Sequence, residues 1–328
     1  MTTTTTPTTT AVPVQTRTSI GKFLVQGGTS IALIILVLFF FAMRPDVFLT
    51  FTNVRNILFQ VSILAIISGA QTLVMVVGDF DLSLAATSSL AGSVAASLML
   101  DGTPTLPAVL AALAVGLLIG LANGALVAYL NLSAFIATLA TMTSVTGLAF
   151  LVTEGTTLFK LPAGFNSLGQ GRALSIPVPV YIAIGLALIL WALLRFTTTG
   201  RKWYAVGGSV EVSRLSGINV PRGRLLAFTA AGLIAAVGGI LLAARLGSAS
   251  AVQGSDTLLF SVAAVFLGMT VARSGRANLV GTMVGVAILG VMSNGLNILG
   301  VNAYVQQVVT GLIIIAAVAL SSLRTRER

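Results

Sequence analysis

Ten apolar stretches divide the sequence, at 30–43, 55–77, 82–100, 106–129, 134–153, 178–196, 225–246, 258–272, 278–299 and 303–322, and polar or helix-breaking residues separate them. A helix crossing a hydrocarbon layer about 30 Å thick needs about 20 apolar residues, because each adds ~1.5 Å. Inside lipid, every backbone N–H and C=O must find its partner within the protein, and a continuous apolar run does this as a helix. Charged residues make up only 8% of the 328, against roughly 25% in an ordinary soluble domain, so ionic side chains cannot cover a globular surface. The expected fold is all-α: a polytopic membrane protein of about ten transmembrane helices in two five-helix halves on either side of 154–177. An odd number of spans in each half would set the halves in opposite orientation, as in inverted-repeat transporters.

The segment 1–28 is rich in threonine and polar, which predicts a disordered tail, with a transmembrane domain over 29–323 and a basic tail over 324–328. The first apolar run ends at Met43-Arg44-Pro45-Asp46 with no small-residue cleavage site, so it reads as an uncleaved span. With ten spans, thirteen of the 18 Lys and Arg residues fall on the side of the termini. That bias predicts cytoplasmic termini, with 197–224 as a cytoplasmic loop and 154–177 as an external one. Trp191 and Trp203, which flank the long inner loop, fit an interfacial aromatic belt. The same bias explains the net charge of +10 without a nucleic-acid partner.

The chain has no cysteine and no histidine. Thiolate and imidazole chemistry, thiolate or histidine metal sites and disulfides are thereby excluded, and with them most intramembrane enzymes. No G-x-x-x-x-G-K-[ST] phosphate loop occurs; Gly21-Lys22 is followed by Phe23 and lacks the upstream glycine. No catalytic residue, metal or cofactor is expected here, and any use of ATP and Mg²⁺ belongs to a separate chain.

Four groups of residues stand out. In Gly78-Asp79-Phe80-Asp81-Leu82-Ser83, acidic residues near the membrane interior are costly and so tend to be functional or paired. Asp81 suits the N-cap of a helix starting at Leu82, while Asp79, Asp81 and Ser83 could equally line a polar pathway. Thr138 on the fifth stretch, and Asn294 and Asn297 near the last turn, are further pathway candidates. Their bland alternatives are back-bonding to the helix for Thr138 and helix caps or interhelical hydrogen bonds for the amides. Within 197–224, Ser209 is an N-cap candidate and Gly217 suits a left-handed helix end. Between Gly207-Gly208 and Gly217 this predicts a short helix, with Val212, Leu215 and Ile218 on one side and Glu211 and Arg214 as polar handles. It is either a docking knob for a partner or a loop on lipid headgroups. Finally, Gly116, Gly120 and Gly124 form a small-residue stripe for close helix packing, within the monomer or at a homodimer seam.

At these residues the chain resembles the permease subunits of ribose-type carbohydrate ABC importers. Asp81-Leu82-Ser83, Phe135-Ile136-Ala137-Thr138-Leu139, Ala205-Val206-Gly207-Gly208 with Arg214–Val220, and Asn294–Asn297 through Gln306 match that family's motifs in order. The resemblance implies a homodimer with an ATP-binding subunit on the cytoplasmic side and an extracytoplasmic sugar-binding protein. It also implies that Ala205–Asn219 couples ATP hydrolysis to gating. The chain departs from the family's pattern at Asp79, at Ser209–Ser213 and over 267–276. Permeases for nucleosides or branched-chain amino acids share the helical plan. An ion-coupled secondary transporter, with Asp79 or Asp81 as coupling groups, is the mechanistic alternative.

Overall fold

The computed structural model describes residues 19–271, 275–302, 304–313 and 315. In chain order the helices are α1 (Ser19–Met43), α2 (Pro45–Phe48), α3 (Phe51–Val76), α4 (Leu84–Leu100), α5 (Thr105–Ala128), α6 (Ala134–Thr153), α7 (Ala163–Gln170), α8 (Val178–Phe196), α9 (Thr198–Gly208), α10 (Val210–Leu215), α11 (Val220–Leu246), α12 (Ser255–Val271) and α13 (Leu279–Ile298). Two-residue strands β1 (Leu158–Phe159) and β4 (Ser248–Ala249) pair antiparallel, as do β2 (Arg172–Ala173) and β3 (Ile176–Pro177). Among the described residues, six helices are long and apolar enough to cross a bilayer: α3, α5, α6, α8, α11 and α13. The apolar parts of α1, α4 and α12 are shorter. The tenth stretch is helical over 304–313, and most of its remainder lies outside the described residues. The all-α polytopic expectation therefore holds.

The centre of the bundle is α11, packed on α3, α4, α5 and α7, with α3 in turn against α8, α12 and α13. The contacts are made largely by small residues. Gly232 of α11 sits so close to α5 that a Cβ there would lie 2.8 Å from the Gly120 backbone. Gly116 and Gly124 face the Gly232 carbonyl and Leu225 in the same way. In lipid there is no hydrophobic drive between apolar helices, so backbone-to-backbone approach of this kind supplies the dispersion energy that holds them. The stripe is thus used up inside the monomer and does not form a homodimer seam.

Several boundaries differ from the sequence reading. The first helix extends back to Ser19, into the segment read as a tail, because no proline interrupts the chain from Val14 to Arg44. Residues 1–18 and the basic tail 324–328 lie outside the described residues. The connection 154–177 contains α7, whose Gly169 tucks against Ala244 and Arg245 of α11, leaving no room for a side chain. Trp203 does not join an aromatic belt: it is buried under α9, whereas Trp191 is partly exposed.

Like-numbered connections gather at the same end. One end brings together the α3–α4 connection, α9 and α10; the other brings together β1, β4, α7 and the α13 C-terminus. Alternate helices therefore run in opposite directions, as successive membrane crossings must.

Candidate functional site

At the first of these ends the chain turns sharply after α3. Gly78 has φ +87, and a Cβ on it would meet the Gly207 Cα at 3.3 Å. Gly207 itself packs directly on the Val76 carbonyl, so α9 is seated on the C-terminus of α3. Gly207 and Gly208 form the last turn of α9 and the break falls at the extended Ser209, so that α10 lies between the glycine pair and Gly217 as expected. Glycine is needed there for approach rather than for a turn.

Asp79 follows directly and is held by Arg224 of α11. The Arg224 Nε lies 2.9 Å from one carboxylate oxygen, and the Nη2 donates to the other at 3.2 Å. A two-point pair of this kind fixes geometry as well as charge. The pair joins two regions that the sequence presents 145 residues apart. Arg224 had no signal of its own beyond counting as a basic residue of the inner loop. Removing one partner leaves the other charge poorly solvated, whereas removing both does not. Arg224→Ala should cost about 3 kcal/mol and Asp79→Ala less, with the double variant Asp79→Ala/Arg224→Ala more stable than Arg224→Ala alone. Thermal unfolding of the four proteins in detergent checks this.

Asp81 is fully buried. Its Oδ1 accepts from the Ser83 N–H at 2.8 Å and the Ser83 hydroxyl at 2.6 Å. The Asn123 amide of α5 donates to Ser83 Oγ at 2.8 Å and reaches the second Asp81 oxygen at 3.5 Å. Thr138 of α6 accepts from the Leu82 N–H at 3.1 Å and donates to the Ala134 carbonyl at 2.7 Å. Asp81 is therefore not the N-cap of a helix beginning at Leu82. The helix begins at Leu84, and the carboxylate folds the preceding turn onto itself and onto α5. Asn123, noted in the sequence only as a neighbour of the glycine stripe, completes the cluster. In this conformation Asp81, Ser83 and Thr138 are closed off from solvent.

Burial pushes the Asp81 carboxyl up to about 6, against the Ser83 and Asn123 hydrogen bonds, which act to lower it. The folded protein thus keeps a proton that the unfolded chain releases near pH 4, so stability should fall as pH rises from about 4 to about 6. Asp81→Asn keeps an acceptor for Ser83 and should lack that slope. Asp81→Leu strands the Ser83 N–H and hydroxyl, while Asn123 keeps its bond to Ser83 Oγ, and should unfold at lower temperature throughout. Unfolding temperature measured against pH tests both.

Asn294 of α13 exchanges two amide hydrogen bonds with Asn53 of α3, each 3.0 Å, at the opposite end of the bundle. That is an interhelical clasp. Asn297, one turn on, is exposed and faces a polar groove.

The connection 197–224 is more ordered than a loop. Thr197 caps α9, accepting from the Gly200 N–H at 3.1 Å, and Trp203 and Val206 anchor it in the core. Ser209 caps α10 through the Val212 N–H at 3.3 Å, Gly217 ends it with φ +75, and Asn219 caps α11 through the Arg222 N–H at 3.0 Å. Val212, Leu215 and Ile218 do not share one face. Ile218 packs against the core with Val210, whereas Val212 and Leu215 project outward, 62% and 80% exposed. Glu211 and Arg214 lie beside them, 3.8 Å apart and exposed, so their attraction adds little to stability. An outward apolar pair on a doubly capped helix, rimmed by opposite charges, is suited to docking.

A family model described as the permease component of branched-chain amino acid transport systems matches residues 53–318. The ribose import permease protein RbsC of Haemophilus influenzae is 37% identical over 91% of this chain and 94% of its own length. RbsC of Escherichia coli K12 is 39% identical over 92% and 94%, and the D-allose transport system permease protein AlsC of the same strain is 35% identical over 90% and 91%. No solved structure matches the chain.

Proposed function

We propose, because this chain belongs to the branched-chain amino acid transport system / permease component family, that it is the membrane-spanning permease of an ABC importer for a ribose-type monosaccharide. The observation that carries the choice of a sugar is the 37–39% identity to ribose permeases across nine tenths of the chain. The family's description names amino acids, but these relatives are named for sugars and match from end to end. The chain is not an enzyme; ATP and Mg²⁺ act in a partner subunit.

On this reading the end carrying α9 and α10 is cytoplasmic, and the ATP-binding subunit docks on Val212 and Leu215. Gly207 and Gly208 seat that knob on α3, and the Asp79–Arg224 pair ties α3 to α11, so a push on α10 reaches both central helices. Asp81, Ser83 and Thr138 hold the connection that would have to move. The opposite end faces an extracytoplasmic sugar-binding protein. The full chain makes ten crossings with both termini inside, a permease domain over 29–323 between two tails, and works as a homodimer whose seam lies elsewhere than the Gly116–Gly124 stripe.

Co-reconstitution tests the function. Vesicles holding this chain with its ATPase and binding protein should accumulate D-ribose or D-allose only with ATP, and vesicles with this chain alone should accumulate neither. Ion-driven accumulation by the chain alone overturns the reading and restores the secondary transporter, with Asp79 or Asp81 as the coupling group.

A further inference from the structure

The end of the bundle opposite α10 carries a polar groove in which the pathway candidate Asn297 is joined by residues that no motif singled out. Two connected hollows of about 410 and 220 Å³ open between α3, α11, α12 and α13, with Gln60 and Arg245 lining both. Together they fall near the middle of the size range of small-molecule pockets, about 300–1,000 Å³. A third hollow on the apolar flank, about 630 Å³ and lined by residues such as Leu58, Ala187 and Val284, offers a sugar almost nothing to bond.

The chemistry of the polar groove is specific. Asn56, Gln60 and Asn297 present side-chain amides, Ser293 a hydroxyl and Asp256 a carboxylate, and among the described residues none of these side chains has a hydrogen-bond partner. The contrast with Asn53 and Asn294 beside them, which satisfy one another, is direct. Arg245 is already engaged: its guanidinium lies 4.2 Å from the centre of the Phe59 ring and donates to the Phe59 carbonyl at 3.4 Å. One cation and one carboxylate leave these two hollows without net charge. Amides that donate and accept, with an aromatic ring fixed beside them, match a neutral ligand whose polar groups are mostly hydroxyls.

We propose that this groove is a sugar-binding vestibule of the permease itself, in which Asn56, Gln60, Asn297, Ser293 and Asp256 bond the hydroxyls of a neutral monosaccharide against the Phe59 ring. The proposal rests on the importer reading above and adds a site within this chain. A sugar arriving at the outer end meets these groups before it reaches the closed interior, so they help select what is passed on.

The chain contains no cysteine, so a single introduced thiol can be followed without background. In the complete importer, Ser293→Cys and Asn297→Cys should react with N-ethylmaleimide several-fold more slowly when D-ribose or D-allose is present at millimolar concentration. Leu174→Cys, on the exposed β2–β3 turn at the same end, should react at one rate throughout. In transport, Gln60→Leu should raise the KM for sugar about threefold to tenfold, the usual effect of losing one or two hydrogen bonds. If the unmodified importer takes up sugar, yet neither thiol is protected and the KM is unchanged, the vestibule is wrong and the importer reading stands. If no ATP-driven sugar uptake occurs at all, the importer reading has failed first. Protection by inorganic phosphate and by neither sugar also overturns the proposal, and would assign the groove to anions through Arg245 and the adjoining Arg55 and Arg172.

Discussion

Leu215→Asp is expected to abolish ATP-driven uptake while leaving the permease folded in the membrane. Leu215 is 80% exposed at the end of α10 and supports no core contact, so the substitution should change unfolding temperature by little; exposed positions of this kind usually shift stability by less than about 0.5 kcal/mol. In an interface the same side chain would be fully desolvated, and a carboxylate buried there without a partner costs several kcal/mol. A loss of about 3 kcal/mol in docking is more than a hundredfold in affinity. Co-purification of the ATPase subunit should therefore fail together with uptake. Val212→Asp should behave alike, whereas Glu211→Ala, at the polar rim, should weaken association only slightly. Normal association and uptake for Leu215→Asp would remove α10 as the docking element.

The second large effect concerns packing. Gly120→Ala adds one methyl group, and that methyl would strike the Phe228 carbonyl and lie 3.0 Å from the Thr229 Cα. Both are backbone atoms of a helix at the centre of the bundle, so no side chain can rotate aside. Separating α5 from α11 to admit it would also loosen the contacts at Gly116, Gly124 and Gly232. Overpacking typically costs 1–3 kcal/mol, and here about 3 or more is expected because the obstruction is rigid. Gly147→Ala is the matched control: it is the same change inside α6, and nothing lies within 4 Å of the added carbon. It should be neutral or slightly stabilising, since alanine is the better helix former. Detergent-solubilised yield and unfolding temperature separate the two, and equal behaviour would show that α5 and α11 are not in backbone contact.

Much of the fold was legible because each apolar stretch must form its own backbone hydrogen bonds in lipid, whatever its neighbours do. Where side chains cap the chain locally, the reading also succeeded: Ser209 and Gly217 bound α10 as their chemistry requires. It failed where a residue's role depends on a distant one. Asp81 looked like a cap because carboxylates near helix starts usually are, yet Asn123 lies 42 residues away and turns the group inward. Gly207 marked the edge of a predicted helix, but its close seat on the Val76 carbonyl is a contact that only the folded chain makes.

The sequence by itself determined that this chain lives in lipid as helices, that it carries no thiol, imidazole or nucleotide-loop chemistry, and that its motifs are those of a sugar-importer permease. The first two follow from composition, period and residues a few positions apart, and the third is a resemblance carried by several motifs in order. Tertiary structure decided the rest. It pairs Asp79 with Arg224, spends the glycine stripe on α11, turns Val212 and Leu215 outward, and gathers unsatisfied amides from α3 and α13 into one groove. Such pairings depend on helices that meet tens to hundreds of residues apart. In a bundle made mostly of alanine, glycine and leucine, almost any face is apolar enough to be the one that packs.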